Sequence, residues 1–175
     1  MTMPWATAPL EDLLKRSTQT IVLEPDTSYR EVKVRMNGKG VVERRVVKGL
    51  ELGSGRRFLA KAGQFIISRI DARHGASGLI PPELDGAIVT NDFPLFDVVI
   101  DRLDPHFFSW MTKTASFVDL CKRASEGTTN RVRLDEKRFA ALTIRIPPLL
   151  EQHRPSPGPL EDAGRERQAQ GAARW

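Results

Sequence analysis

Apolar and charged residues alternate from Tyr29 to Met36, which is the period of a β-strand with one buried face. Asn37-Gly38 and Gly40 then provide the residues of a tight turn. Val41 to Lys48 continues as a second strand-forming run. The pattern therefore predicts a β-hairpin over residues 29–48.

Shorter apolar runs and capping signals predict the remaining elements. Strands are expected over residues 63–70, 87–89, 95–100 and 143–146. Helices are expected over residues 9–16, 104–124 and 135–142. Loops are expected over residues 49–57, 73–82 and 125–131. The second helix has the clearest start, because Asp104 can cap it and Pro105 suits its first position.

The chain changes character after Gln152. Residues 153–175 contain no Val, Ile, Phe, Tyr or Met, but they hold three Pro, three Gly and four Arg. Such a segment has no apolar face to bury. We predict one folded domain over residues 1–152, followed by a disordered or non-native tail over residues 153–175.

Composition is that of a globular domain that stays in water. The chain has 175 residues, of which 40% are hydrophobic and 28% are charged. Uncharged runs are too short to cross a bilayer, and the first residues do not resemble a signal peptide. Cys121 is the one cysteine, so disulfides are not expected and the cytoplasm is the expected compartment.

Charge is unevenly distributed along the chain. Residues 30–73 hold 12 Lys/Arg against 4 Asp/Glu, a net charge of +8. Residues 74–121 carry a net charge of −5, and residues 122–145 carry +4. This alternation predicts one positive face, which favours polyanions and nucleic acid first among them.

Two basic or polar segments supply candidate DNA-binding residues. Arginine suits phosphate oxygens and guanine edges, and hydroxyl and amide groups can contact phosphate or base. The candidates at strand ends and in the first loops are Arg44, Arg45, Arg56, Arg57, Arg69, Arg73 and His74. Those in the later polar loop are Thr128, Thr129, Asn130 and Arg131.

Enzymatic alternatives find little support in the sequence. Asp26 and Glu31-Val32-Lys33 resemble the acidic and lysine set of a metal-dependent nuclease, but Asp26 falls on the opposite strand face from Glu31. Gly38-Lys39-Gly40 is explained by a turn, without the third glycine of a nucleotide-binding motif. Asn91 to Pro94 lacks the paired prolines of a methyltransferase tetrapeptide. We predict a non-catalytic chain with no cofactor and no metal.

Cys121 and Trp110 lie on the apolar stripe of the predicted helix 104–124. We interpret both as core residues, rather than as a nucleophile and a base-stacking platform.

Several segments together resemble a known family. They are Arg123 to Arg131, Leu134 to Phe139, Leu142 to Gln152 with its Ile-Pro-Pro-Leu-Leu-Glu-Gln ending, Gly86 to Pro94, Leu10 to Leu14, and Gly63 to Arg69. They resemble a target-recognition domain of the DNA-specificity subunit of type I restriction-modification systems. The resemblance covers about residues 5–152.

This resemblance implies a mixed α/β fold, with a twisted, largely antiparallel sheet and flanking helices. It implies sequence-specific recognition of double-stranded DNA, with each domain reading one half of a bipartite site. The implied partners are DNA, the methyltransferase (modification) subunit and, through the complex, the motor-nuclease subunit. Catalysis and cofactors belong to those subunits.

The chain departs from the family pattern after Gln152. The family has a second domain and long coiled-coil helices, whereas residues 153–175 carry three prolines within five residues. We therefore do not expect the coiled-coil homodimer. Two alternatives stay open: a truncated remnant that binds only a methyltransferase, and a stand-alone nuclease.

Overall fold

The computed structural model describes residues 4–128 and 131–153. The strands within these ranges are β1 Ala6–Pro9, β2 Leu14–Ser17, β3 Thr20–Ile21, β4 Ser28–Val34, β5 Val41–Lys48, β6 Arg57–Leu59, β7 Phe65–Ile67, β8 Ser77–Leu79, β9 Ile88–Val89, β10 Leu95–Val98, β11 Ser125–Glu126, β12 Arg133–Leu134 and β13 Thr143–Ile146. The helices are α1 Leu10–Leu13, α2 Pro105–Met111, α3 Ala115–Arg123, α4 Glu136–Ala141 and α5 Leu149–Gln152. Short 3-10 turns occupy Gly49–Glu51, Ala72–His74 and Pro82–Leu84.

Two sheets form the body of the fold. The larger has the order β3-β6-β9-β4-β5, and the smaller has the order β2-β10-β7-β8. The β4–β9 pair is parallel, and all other strand pairs in the described part of the chain are antiparallel. Two further pairs, β1–β13 and β11–β12, stand apart. This architecture confirms the predicted mixed α/β fold with largely antiparallel pairing.

Phenylalanine rings build the core on one side of the smaller sheet. Phe65 is fully buried, and its ring centroid lies 4.9 Å from that of Phe108 and 6.4 Å from that of Phe117. Phe139 of α4 stacks on Phe65 at 6.4 Å. Edge-to-face and offset ring pairs of this kind add to the gain from burial. Helices α2, α3 and α4 are therefore joined through one strand residue.

A second core lies between the two sheets. Ile66 and Leu95 of the smaller sheet pack there with Val34, Phe58 and Val89 of the larger sheet. Their strand neighbours Phe65, Ile67 and Phe96 belong to the first core instead. Because β7 is buried on both faces, its sequence Phe65–Ile67 is a continuous apolar run. Strand β10 buries Leu95 and Phe96 and then continues with the exposed Asp97 and the half-buried Val98.

The predicted hairpin is confirmed as β4 and β5. The strands are antiparallel, with Tyr29 opposite Val47 and Val34 opposite Val41. A β-bulge interrupts the register between Glu31 and Val32, which lie opposite Arg45 and Glu43, so Arg44 is the extra residue on β5. The bulge adds local twist to an otherwise regular pair.

Two predicted helices are wrong in extent. Helix 9–16 is a single turn, α1, because the chain continues as β2, where Leu14 pairs with Val98 of β10. Helix 104–124 is two helices, because Thr114 caps α3 by accepting from the Phe117 N–H at 3.3 Å. The cap allows Phe117 to turn into the first core.

The predicted loop at 73–82 contains strand β8, the predicted loop at 125–131 begins with β11, and the predicted loop at 49–57 ends at Arg57, where β6 begins. These strands have two or three residues each. Strand β6 pairs with the remote strands β3 and β9, whereas β8 pairs with β7 and β11 pairs with β12. Strands β1 and β3 were also not predicted. The predicted tail lies outside the described residues apart from His153.

Gln152 ends the described helix α5 and connects three segments. Its Oε1 accepts from the Asp104 N–H at 2.7 Å, and its Nε2 donates to the carbonyls of Arg102 at 3.1 Å and Pro147 at 2.9 Å. The side chain is 3% exposed, so its polar atoms depend on these partners. Asp104 in turn caps α2 by accepting from Phe107 N–H, as predicted.

Among the described residues, no helix combines the length and the hydropathy needed to cross a membrane.

Replacing Gln152 with Leu should lower the free energy of unfolding by about 1–3 kcal/mol, because the substitution leaves buried backbone groups without partners. Urea denaturation measures this difference. Leu150→Ala is the control, since Leu150 is 87% exposed and should change stability by less than about 0.5 kcal/mol. Equal effects of the two variants would contradict the role of Gln152.

Burial of Cys121 confirms its prediction as a core residue and makes a second test possible. The thiol is 1% exposed, and desolvation raises its pKa from 9.0 to about 12. Above pH 9 the unfolded chain loses this proton while the folded chain keeps it, so the thiol's contribution to stability falls as pH rises. The stability gap between wild type and Cys121→Ala should shift against the wild type by about 1 kcal/mol between pH 8 and pH 10. A gap that does not change with pH would contradict burial of this thiol.

Candidate nucleic-acid interface

Several loops meet at one edge of the larger sheet, the edge formed by the ends of its strands rather than by an outer strand. Strands β4 and β9 are parallel, so both end at this edge. The turn after β4 (residues 36–40) and the loop after β9 (residues 90–94) therefore leave the sheet on the same side. Strand β6 is antiparallel to β9 and begins at this edge with Arg57. We call this edge the loop edge.

The turn after β4 is bonded to the 3-10 turn at Ala72–His74. The Asn37 N–H donates to the His74 carbonyl at 2.8 Å, and the Gly38 N–H donates to the Gly75 carbonyl at 3.0 Å. Asn37 and Gly38 have φ of 59° and 65°, the left-handed values that an Asn-Gly turn supplies at low cost. These bonds hold the hairpin tip against the segment that carries Arg73 and His74.

A second set of contacts joins the β11–β12 hairpin to the loop edge. The Arg69 N–H donates to the Asp92 carbonyl at 2.8 Å, and the Leu134 N–H donates to the Arg69 carbonyl at 2.8 Å. Arg133 also forms an ion pair with the Asp92 carboxylate at 2.5 Å. The backbone of Arg69 thus connects the loop after β9 to the β11–β12 hairpin.

A cleft of about 440 Å³ opens where the hairpin tip, the turn at Ala72–His74 and α3 meet. Its charged and titratable lining consists of Arg73, His74, Lys113, Asp119 and Lys122. Lys122 pairs with Asp119 at 3.3 Å, but both side chains are more than half exposed, so this pair is weak. Arg73 and Lys113 form no ion pair with any carboxylate in the part of the chain that the structure describes, so the cleft is net positive and favours an anion.

Arg73 has an unusual environment in this cleft. Its Nε is buried and has no hydrogen-bond partner within residues 4–128 and 131–153. Arg73 is also absent from the ion pairs of that part of the chain. An arginine without a carboxylate keeps its donors for an external phosphate or base.

Lys113 approaches the cleft because Gly38 leaves room for it. A Cβ added at Gly38 would lie 3.0 Å from Cγ of Lys113. The break between α2 and α3 places Lys113 in the connection, rather than on a helix face. The predicted continuous helix did not identify Lys113 or Lys122 as site residues.

The structure brings some of the predicted DNA-binding residues together. Arg73 and His74 line the cleft, and Arg69 lies in the adjoining contact network. Thr128 and Arg131 lie at the tip of the β11–β12 hairpin, where the Arg131 N–H donates to the Thr128 carbonyl at 2.8 Å. Thr129 and Asn130 are outside the described residues.

The remaining predicted arginines lie elsewhere on the larger sheet. Arg56 is exposed before β6, and Arg57 donates to the Gly55 carbonyl at 2.7 Å. Arg44 and Arg45 lie on the edge strand β5. Arg45 is ion-paired with Glu31 at 2.6 Å, about 15 Å along the strand from the turn. Of the predicted residues, Arg73 and His74 therefore line the cleft, Arg57 lies at the loop edge, and Arg44 and Arg45 are separate from both.

The described residues contain no group of three or more His, Cys, Asp or Glu side chains that could hold a metal ion. Glu31, which the nuclease alternative required, is bonded to Arg45.

The fold of this chain is similar to that of solved structures. No family model and no curated protein matches the sequence. Among solved structures, the crystal structure of the HsdS subunit from Thermoanaerobacter tengcongensis is similar, with a TM-score of 0.68 and 18% identity. A second, described as the structural basis underlying complex assembly and conformational transition of the type I R-M system, has a TM-score of 0.67 and 17% identity. Each alignment covers 86% of this chain.

The chain spans only 40% of the length of either structure. At this level of identity the likeness establishes the fold alone. It confirms the resemblance inferred from the sequence motifs at that level: the chain has the fold of a segment of the HsdS specificity subunit.

Proposed function

We propose that this chain recognises double-stranded DNA in a sequence-specific manner, as a non-catalytic module of a type I restriction-modification system. It reads one half of a bipartite site. The observation that carries the proposal is the cleft at the loop edge, where Arg73 and Lys113 form no ion pair with the carboxylates of residues 4–128 and 131–153, and Lys122 adds a further cation. The fold shared with HsdS supports the same assignment.

The arrangement suits the two parts of DNA recognition. Cations in the cleft contact phosphates, which provide affinity without sequence information. The hairpin tip and the neighbouring loops extend beside them and can reach base edges in the major groove. Arg56, Arg57, Arg69, Thr128 and Arg131 would extend the contact area along the loop edge, and Thr129 and Asn130 belong to the same predicted loop.

The partners follow from the type I assignment. A methyltransferase subunit would supply catalysis and its cofactor, and the motor-nuclease subunit would join through the complex. This chain would act in the cytoplasm, beside the DNA that it recognises.

The alternative from a different class is an interaction module that binds a methyltransferase subunit but no DNA. The cleft favours DNA, because three cations gathered in one place suit the phosphates of a duplex, and Arg73 has no ion-pair partner among the described residues. A chain that binds the methyltransferase subunit but fails to bind any duplex at low salt would favour the alternative.

Replacing Arg73 and Lys113 together with Ala should weaken binding to all duplexes alike. The slope of log K against log salt concentration should fall in magnitude by about two, since each lost phosphate contact removes about 0.9. Fluorescence anisotropy with labelled duplexes over a series of salt concentrations measures both quantities.

The matched control is Arg102→Ala with Arg145→Ala. This double variant removes the same charge from positions that do not line the cleft. It should leave the slope within about half a unit of the wild type. If both double variants reduce the slope equally, net charge rather than the cleft determines binding, and the proposed interface is wrong.

A further inference from the structure

One residue of the cleft has the chemistry of base recognition rather than phosphate binding. In the described part of the chain, Asn37 is the single residue with a side-chain amide among those that line the cleft. Its side chain is exposed at the hairpin tip, next to the segment that carries Arg73 and opposite Lys113. An amide offers one donor and one acceptor in a fixed relation, whereas the lysines offer only donors.

The backbone of Asn37 is held more firmly than that of an ordinary turn residue. Its own N–H and that of Gly38 donate to the carbonyls of His74 and Gly75. Glycine suits position 75 because its φ of 72° is left-handed, and a Cβ there would lie 3.4 Å from the backbone nitrogens of Asn37 and Gly38, which is ordinary contact. An amide presented from a fixed backbone loses little conformational entropy on binding.

We infer that Asn37 is a specificity-determining residue that reads adenine in the major groove. Its amide would accept from N6 and donate to N7, the bidentate pairing that asparagine makes with adenine. Arg73 and Lys113 would hold the adjacent phosphates and set the register. This inference rests on the proposed function and adds the base that the site reads.

The backbone conformation makes a clean test possible. Asn37 has φ of 59°, where an L residue is strained and glycine is not. Asn37→Gly therefore removes the amide while keeping the turn and its two backbone hydrogen bonds. Asn37→Asp keeps the shape but leaves only acceptors, so it cannot pair with both groups of adenine.

The experiment selects bound sequences from a library of duplexes with a randomised central segment, and then measures the selected duplex by anisotropy. The full chain is used as wild type, Asn37→Gly, Asn37→Asp and Gln19→Ala. Gln19 is an exposed amide outside the cleft and serves as the matched control. Thermal denaturation verifies that each variant is folded.

The wild type and Gln19→Ala should select a sequence with one invariant A·T pair. Asn37→Gly should accept any base there, with discrimination reduced roughly 5- to 150-fold. Its salt slope should not change, because no phosphate contact is lost. Asn37→Asp should also lose the adenine preference.

Two results would overturn the inference, and they differ from each other. If the wild type selects a sequence and folded Asn37→Gly selects the same one at every position, Asn37 does not read a base, and the proposed function survives. If the wild type selects no sequence at all, the proposed function fails and the inference fails with it.

Discussion

The arrangement of the loop edge depends on two backbone hydrogen bonds, from the Asn37 and Gly38 N–H groups to the carbonyls of residues 74 and 75. They connect the tip of a hairpin in the larger sheet to a segment that leads into the smaller one. The left-handed turn makes this possible, because it points two successive N–H groups outward. With the tip held there, Gly38 leaves space for Lys113, and a cation cleft forms between the hairpin and α3.

The two cores give this edge its rigidity. Strands β7 and β10 contribute to both, with Phe65 in the aromatic core and Ile66 in the core between the sheets. The segment that carries Arg69 and Arg73 follows β7 directly, so it begins from the most buried strand of the molecule. Loops supported in this way can present side chains precisely while remaining free to vary in sequence.

Much of this could be predicted from the sequence where the signal is local. The β4–β5 hairpin follows from period-two alternation and an Asn-Gly turn, and the start of α2 follows from its Asp-Pro cap. The basic character of residues 30–73 indicated an anionic partner. Other features escaped prediction. Strands β6 and β8 are too short to show a period, and the break at Thr114 is visible only once Phe117 has a core to enter. Because the break at Thr114 was not predicted, Lys113 and Lys122 were not recognised as cleft residues. Arg44 and Arg45 lie on β5, away from the cleft. The role of Gln152 was also hidden, because two of its three partners lie about 50 positions away.

The location of bound DNA on the molecule tests most directly whether DNA binds at the cleft. Amide NMR spectra of the chain, recorded while a duplex is added at low salt, report which backbone groups change environment. If DNA binds at the cleft, the largest shifts occur at residues 36–40, 72–75 and 112–122, with little change in β1 and β13. Shifts concentrated on β1 and β13, with none around the cleft, would contradict binding at the cleft.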